Sequence, residues 1–294
     1  METEKFKHLL TPVNLHDNQY FYVDYNCNLY RGCNHGCIYC DSRSTCYQMK
    51  RFDTVRAKEN VIEMLRGELR SKKKTGVIGI GAASDSYNIF EKEQCITRKA
   101  LEVIQKERFG ITLSTKSALV ARDADLFALI NKHAPVGIAL SITTADDALS
   151  STLEPHASLS SERFSAMQTL SDNGVFCGTW LNPMLPFITD TKENITRLAE
   201  KTAKAGGRYL LCFFGMTLRD GSRDYFFKAL DKHFPGLKER YAKAYGNAYI
   251  IDSPDAQTLY AHLKKECQRR GLLYRFEEIN KEMMRPRTSQ LSLF

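Results

Sequence analysis

Long apolar runs are absent from this sequence. No stretch approaches the ~20 consecutive apolar residues that a membrane-spanning helix requires. The N-terminus, METEKFKHLL, lacks the apolar core of a signal peptide. Low-complexity segments are absent too, and no repeat is visible beyond an alternation of strand and helix patterns. We therefore expect a cytoplasmic protein without membrane contact. With 294 residues, 43% of them hydrophobic, the chain is long enough to bury one large core.

A second pair of closely spaced cysteines is also missing. The segment RGCNHGCIYC carries Cys33, Cys37 and Cys40, but no matching pair follows downstream, and this disfavours a structural zinc site with four ligands. Nine cysteines, an odd number, in a reducing compartment favour metal ligation or buried thiols over disulfides. A cubane 4Fe-4S cluster normally takes four thiolates, so three in one loop leave one iron without a protein ligand. Cys27 and Cys46 are possible fourth ligands on spacing alone, but we favour their interpretation as buried or incidental thiols.

Short apolar segments alternate with amphipathic ones along the chain. The patterns predict strands at residues 21–26, 76–80, 110–114, 136–141, 175–181 and 209–214, and helices within residues 57–72, 123–133, 161–174 and 191–207. This alternation implies a parallel sheet, either doubly wound or part of a barrel. In either architecture the loops after the carboxyl ends of the strands form the active face.

The cysteine loop carries a family resemblance. Its C-x3-C-x2-C pattern, with Tyr39 before the third cysteine, is the signature of the radical S-adenosylmethionine superfamily. The sequence resembles in particular the branch of spore photoproduct lyase-like proteins, often labelled DNA repair photolyases. The similar blocks span roughly residues 25–200 and read, in order, YRGCNHGCIYCDSRS, GAASDSYNIFEKE, ITRKALEVI, STKSALVARDADLF, SITTADDALSSTLEPHA and PMLPFITDT.

The resemblance implies an α/β fold, a partial (β/α)6 TIM-type barrel of parallel strands with helical C-terminal additions. It implies an enzyme in which Cys33, Cys37 and Cys40 hold a 4Fe-4S cluster and S-adenosylmethionine chelates the open iron. One electron, from a donor such as flavodoxin or ferredoxin, then cleaves the cofactor to a 5'-deoxyadenosyl radical. The protein supplies orientation and a dry cavity.

The same resemblance implies five contacts to S-adenosylmethionine. They are Tyr39 near the adenine, Ser84 and Asp85 near the methionine amino group, Lys116 at its carboxylate, and Ser141 near the ribose. Ordinary turn or cap hydrogen bonds would explain Ser84 and Ser141 equally well. A buried lysine needs a counter-charge, and Asp123 or Glu154 are alternatives to the cofactor carboxylate for Lys116.

Two positions depart from spore photoproduct lyase. That enzyme has a hydrogen-donating cysteine immediately before the Ser-Asp pair, where this chain has Ala83, and a second aromatic residue where this chain has Asp41. We therefore do not expect spore photoproduct repair. Cys177, Cys212 or Tyr87 are candidate hydrogen donors, although cysteines inside predicted strands are more often small buried hydrophobes.

Further polar residues stand out near the predicted active face. Arg122 and Asp123 open a helix that Asp123 would cap, and Asp190 would cap the helix beginning at Thr191. The segment Glu154-Pro155-His156 follows the fourth strand. It either orients substrate or cofactor or is an ordered loop with a surface salt bridge.

We expect four regions: an N-terminal extension (1–20), the barrel (21–215), a helical region covering it (216–286) and a tail (287–294). The tail ends in QLSLF, which resembles the motif by which repair proteins bind the bacterial replication sliding clamp. Gln290, Leu291, Leu293 and Phe294 would make those contacts, or would dock on the barrel itself.

The net charge of +8 favours a polyanionic partner, although solvated helix ends explain it equally well. The leading hypothesis is a radical S-adenosylmethionine enzyme that repairs or modifies DNA and is tethered to the clamp. The same chemistry on RNA, a peptide or a small metabolite is the first alternative. A clamp-bound iron-sulfur sensor or structural module without enzymatic activity is the second.

Overall fold

A computed structural model describes residues 2–13 and 22–285. The strands are β1 (Glu2–Glu4), β2 (Leu10–Pro12), β3 (Tyr25–Cys27), β4 (Tyr30–Arg31), β5 (Arg56–Lys58), β6 (Val77–Ile80), β7 (Gly110–Thr115), β8 (Val136–Ser141), β9 (Cys177–Leu181), β10 (Leu210–Cys212), β11 (Gly215–Thr217) and β12 (Ile250–Asp252).

The α-helices lie between and after these strands. They are α1 (Val61–Arg70), α2 (Glu91–Gln94), α3 (Ile96–Lys106), α4 (Ala124–Asn131), α5 (Asp147–Leu153), α6 (Ser160–Asp172), α7 (Lys192–Lys204), α8 (Ser222–His233), α9 (Leu237–Tyr245), α10 (Ala256–Arg270) and α11 (Phe276–Met283). Short 3-10 helices span Asp41–Arg43, Thr45–Tyr47 and Ala118–Asp123.

The central sheet has seven strands in the order β10-β9-β8-β7-β6-β3-β2. The six from β3 to β10 are mutually parallel, and β2 joins the edge antiparallel to β3. This arrangement confirms the predicted partial (β/α)6 TIM-type barrel. All six predicted parallel strands are present, although the first begins only at Tyr25.

Helices cover one face of the sheet, and small side chains of β6, β7 and β8 lie on the other. In β8, Ile138 and Leu140 pack into the main hydrophobic core together with buried residues of α1, α3, α4, α6, α7 and α10. On the opposite face, Gly79, Thr112 and Ser141 border an open cavity. Because these side chains are small, the barrel interior keeps room for a ligand at the carboxyl ends of the strands.

The amino ends of the strands are closed by α11. Its Ile279 and Met283 pack against Ala139, Phe176 and Tyr209. Gly137 lies directly under Met283, so that any side chain there would collide with the methionine sulfur. This plug leaves the carboxyl ends as the open side of the barrel.

The C-terminal region contains a two-stranded antiparallel sheet, β11 with β12, that the sequence analysis did not predict. Around it, Phe226, Leu230 and Tyr241 of α8 and α9 form a second apolar cluster, which includes Cys37 and Tyr39 of the cysteine loop. The region therefore covers the loop as well as the barrel edge. The QLSLF motif lies outside the described residues.

Three predictions about the starts of helices were wrong: where α1 begins, and which residues cap α7 and α4. Residues 56–58 form β5 instead of the first turn of a helix, and Asn60, with a φ of 50°, separates β5 from α1. Asp190 does not cap α7. The Thr191 hydroxyl accepts the Asn194 N–H instead, and Asp190 accepts a 2.6 Å hydrogen bond from the Ser253 hydroxyl.

Asp123 does not cap α4 with its side chain either. Its buried carboxylate accepts hydrogen bonds from Tyr87 (2.9 Å), Arg98 (2.9 Å) and Arg122 (2.7 Å). Both cap predictions were wrong because donors from other parts of the fold bind these carboxylates in place of the local N–H groups.

No helix within residues 2–13 and 22–285 is long and apolar enough to cross a membrane.

Candidate cofactor site

The cysteine loop follows β4 and begins with a tight backbone contact. Gly32 has a φ of +79°, and a Cβ there would lie 2.6 Å from the Phe52 carbonyl oxygen. The Cys33 N–H donates a 2.9 Å hydrogen bond to that same carbonyl. Glycine is needed at position 32 because both the left-handed conformation and the close approach exclude a side chain.

The other side of the loop is held by the segment after α5. The Ile38 N–H donates to the Leu153 carbonyl (3.0 Å), and the His156 N–H donates to the His35 carbonyl (3.0 Å). These two backbone hydrogen bonds, one donated by each segment, therefore hold the cysteine loop against residues 153–156, which follow β8 and α5.

Cys33, Cys37 and Cys40 all border one cavity of about 870 Å³ at the carboxyl ends of the strands. Burial, with the nearby Asp85 as a second cause, raises the pKa of Cys33 to about 11. Burial also raises the pKa of Cys37 and Cys40. A bound metal cation would favour the thiolates and reverse this direction.

The two other cysteines considered as ligands are placed elsewhere. Cys27 is buried in the main core, and burial raises its pKa to about 12. Cys46 is exposed, and its sulfur contacts the Ser44 hydroxyl (2.9 Å) and an Arg219 nitrogen (3.0 Å). Neither borders the cavity within the part of the chain that the structure describes.

The described residues contain no group of three His, Cys, Asp or Glu side chains able to hold a single metal ion. A cubane cluster requires a different ligand arrangement from a single ion, since each thiolate binds its own iron and the three sulfurs lie apart around the cluster. The loop therefore fits a cluster better than it fits zinc.

Asp85 joins three loops of the active face. Its carboxylate accepts hydrogen bonds from the Thr115 hydroxyl (2.7 Å), the Lys116 N–H (2.8 Å) and the Tyr87 N–H (2.9 Å). His35 Nδ1 of the cysteine loop lies 3.5 Å from it. Burial lowers the pKa of His35, which favours the neutral imidazole.

The other four predicted contact residues also border the cavity: Tyr39, Ser84, Lys116 and Ser141. The Ser84 hydroxyl donates to the Gly32 carbonyl, so it also stabilises the start of the cysteine loop. Burial alone would lower the pKa of Lys116, but Cys37 and Glu154 raise it above its usual value. Lys116 is therefore a cation at neutral pH.

Behind the cavity wall lies a fully buried ion pair that the sequence analysis did not identify. Arg163 of α6 lies 2.5 Å from the Glu154 carboxylate. The Tyr39 hydroxyl donates to the other oxygen of that carboxylate. Burial alone would raise the pKa of Glu154, but Arg163 and Lys116 hold it below its usual range. Glu154 is thus a structural anion and not part of a surface salt bridge.

Arginine and tyrosine side chains surround the mouth of the cavity. Asp41 accepts a 2.8 Å hydrogen bond from the Thr217 hydroxyl and lies 3.3 Å from Arg219. The Arg219 guanidinium lies over the rings of Tyr249 (4.8 Å) and Tyr47 (5.8 Å). Asp41 and Tyr47 lie in the two short 3-10 helices after Cys40, whereas Thr217, Arg219 and Tyr249 lie in or next to β11 and β12. The C-terminal region therefore forms part of the entrance.

The three candidate hydrogen donors are not among the described residues that line the cavity. Cys177 is fully buried on the helix-facing side of β9, and burial raises its pKa to about 12. Cys212 packs against the same core. The Tyr87 hydroxyl donates a 2.9 Å hydrogen bond to the Asp123 carboxylate. Ala83 does border the cavity.

Fold, cysteine loop and cavity together define a class of protein. A family model described as the Radical SAM superfamily matches residues 27–199, and the chain belongs to that superfamily. It is a radical S-adenosylmethionine enzyme that uses a 4Fe-4S cluster and S-adenosylmethionine.

Its sequence relatives include proteins without an assigned activity. The uncharacterised protein Rv2578c of Mycobacterium tuberculosis is 29% identical over 228 residues, which cover 75% of this chain and 67% of the relative. The uncharacterised protein MJ0683 of Methanocaldococcus jannaschii is 32% identical over 171 residues, covering 57% of this chain and 63% of the relative.

Solved structures show the same fold. Spore photoproduct lyase complexed with dinucleoside spore photoproduct has a TM-score of 0.65 at 16% identity, covering 87% of this chain and 78% of that one. The radical S-adenosylmethionine methyltransferase TsrM from Kitasatospora setae, with cobalamin and a [4Fe-4S] cluster bound, has a TM-score of 0.57 at 11% identity, covering 88% and 60%.

We predict that Cys37→Ala abolishes the broad iron-sulfur absorption at roughly 400 nm, because a cluster with two thiolates is not retained. Absorption spectra and iron content after anaerobic reconstitution provide the measurement. Cys46→Ser is the matched control, since Cys46 is exposed and lies outside the cavity; it should load like the parent chain. Retained absorption in Cys37→Ala would contradict the ligand assignment.

Proposed function

We propose that Cys33, Cys37 and Cys40 hold the 4Fe-4S cluster and that S-adenosylmethionine binds beside it in the same cavity. The single observation that supports this most strongly is convergence. Three thiols from one loop and a lysine from another border one space of about 870 Å³. That volume lies in the range of cofactor and ligand sites.

The side chains have distinct tasks in this proposal. Lys116 binds the methionine carboxylate, Ser84 and the loop held by Asp85 lie at the methionine amino group, Ser141 lies at the ribose and Tyr39 contacts the adenine. The cavity is lined by small residues of β6, β7 and β8, which let the cofactor enter the barrel interior.

When bound, the reduced cluster would supply the one electron needed to cleave S-adenosylmethionine into methionine and a 5'-deoxyadenosyl radical, and that radical would abstract a hydrogen atom from the substrate. The protein orients the reacting groups and excludes water around them. An electron donor such as flavodoxin or ferredoxin is part of the proposal. We also propose a cytoplasmic location, because a reducing compartment would keep the nine free thiols reduced.

DNA is the proposed substrate class, for repair or modification of a base. The net charge of +8 favours a polyanion. Tyr47 and Tyr249, each about two-fifths exposed, lie at the cavity mouth on either side of Arg219. Aromatic and guanidinium faces at an entrance suit the stacking of bases. The spore photoproduct lyase of similar fold binds a dinucleoside, which adds support.

Repair of spore photoproduct itself is not proposed. Ala83 cannot return a hydrogen atom, and Asp41 is engaged with Thr217 and Arg219 at the mouth. The lesion or base therefore differs from that of the lyase. The same radical chemistry on RNA, a peptide or a small metabolite is the alternative.

The enzymatic part of the proposal is tested by 5'-deoxyadenosine formation. The reconstituted, reduced protein should convert S-adenosylmethionine to 5'-deoxyadenosine, and Cys37→Ala should not. Cofactor deuterated at the 5' carbon should then exchange label with the true substrate. A fully loaded, reduced cluster that never yields 5'-deoxyadenosine would contradict the proposed cleavage.

For the substrate, we predict that Tyr249→Ala raises the Kd for single-stranded DNA about tenfold, because one base loses its stacking partner. Tyr260→Ala is the control, since Tyr260 is equally exposed but lies on α10 and does not border the cavity. Fluorescence anisotropy measures both. Equal affinities for the two variants, or tighter binding to RNA of the same sequence, would argue against a DNA substrate.

We further propose that residues 290–294 bind the bacterial sliding clamp. Replacing Leu293 and Phe294 by alanine should abolish clamp binding in surface plasmon resonance, because the motif loses the side chains that fill the apolar pocket. Ser292→Ala lies in the same segment but outside the proposed contacts, and should bind normally. Clamp binding that survives the double substitution would refute this part of the proposal.

A further inference from the structure

The buried pair of Glu154 and Arg163 is held from several sides. Both side chains are fully enclosed, with Arg163 2.5 Å from one carboxylate oxygen. Arg163 also donates to the carbonyl oxygens of Ser141 (2.7 Å) and Ser158 (2.8 Å). Because the guanidinium has several fixed acceptors, it holds the carboxylate in one orientation.

The second oxygen of Glu154 faces the cysteine loop. It accepts the hydrogen bond from the Tyr39 hydroxyl, and the Thr143 hydroxyl lies at 3.5 Å from the same oxygen. Tyr39 is 6% exposed and immediately precedes Cys40. The carboxylate thus fixes the ring that forms the wall of the cavity next to the cluster loop.

The Tyr39 side chain contacts both this carboxylate and Lys116. The Lys116 ammonium lies 5.7 Å from the ring centroid, within cation–π range. Its backbone N–H is fixed by Asp85. Within residues 2–13 and 22–285, its ammonium makes neither a hydrogen bond nor an ion pair, so a strong cation remains available in the cavity.

We infer that Glu154, oriented by Arg163, is a positioning residue: it binds the Tyr39 hydroxyl and thereby leaves the Lys116 ammonium free for the carboxylate of S-adenosylmethionine. This inference rests on the proposed function. A carboxylate oxygen has two acceptor positions, and here Tyr39 and, at 3.5 Å, the Thr143 hydroxyl lie against both. Without the hydroxyl, the oxygen would attract the nearest mobile cation, which is Lys116, and the cofactor would have to compete for it.

The test uses Tyr39→Phe. Glu154→Gln would leave Arg163 buried without a counter-charge and would destabilise the fold for an unrelated reason. Tyr39→Phe removes one oxygen atom and keeps the ion pair. Tyr30→Phe is the matched control, because Tyr30 is equally buried and donates a 2.5 Å hydrogen bond to Glu91, away from the cavity.

In anaerobically reconstituted protein, we expect Tyr39→Phe to raise the Kd for S-adenosylmethionine about tenfold, the size of one lost charge-assisted hydrogen bond. Tyr30→Phe should bind like the parent chain. Both variants should load the cluster fully, as read from the absorption and iron content. Equilibrium dialysis measures the Kd, and the electron paramagnetic resonance change on cofactor addition reports binding at the cluster.

A double-mutant cycle separates positioning from general destabilisation. In a Lys116→Met background, Tyr39→Phe should change the Kd no further, since the cation it redirects is gone. Additive effects, an unchanged Kd in Tyr39→Phe, or loss of the cluster in that variant would each overturn the inference. If the loaded parent chain fails to bind S-adenosylmethionine at all, the proposed function itself is wrong.

Discussion

The carboxylate of Asp85 is the interaction on which the active face depends. Parallel strands deliver their following loops to one edge, but nothing in the sheet fixes those loops relative to each other. Asp85 does so by accepting hydrogen bonds from Thr115, Lys116 and Tyr87 while facing His35 of the cysteine loop. A charged acceptor suits this role because its hydrogen bonds are stronger than those of a neutral one.

The empty interior is the second requirement, and side-chain size provides it. Gly79, Thr112 and Ser141 keep the carboxyl half of the barrel open, whereas Met283 fills the amino half above Gly137. The C-terminal region then covers the cysteine loop through the apolar cluster around Phe226. A cavity closed at one end and lined by thiols at the other suits radical chemistry, which has to exclude water.

Much of the framework was predictable because its signals are local. Five of the parallel strands are short, β-branched segments whose positions agree closely with the predictions. Three cysteines in eight positions cannot lie far apart, so their convergence follows from spacing alone. The cap roles of Asp123 and Asp190 were wrong because Tyr87, Arg98 and Ser253, distant in sequence, bind those carboxylates instead. Local rules cannot weigh such partners.

The sequence by itself determined the strand and helix alternation, the cysteine loop and the family, since each depends on residues close together in the chain. Only the tertiary structure decided the role of Glu154. Its pairing with Arg163 and Tyr39 joins an α6 side chain, a loop after α5 and the cysteine loop. Burial decides the outcome: in water that carboxylate would be an ordinary solvated anion, whereas in the interior it must find partners and so fixes them in place.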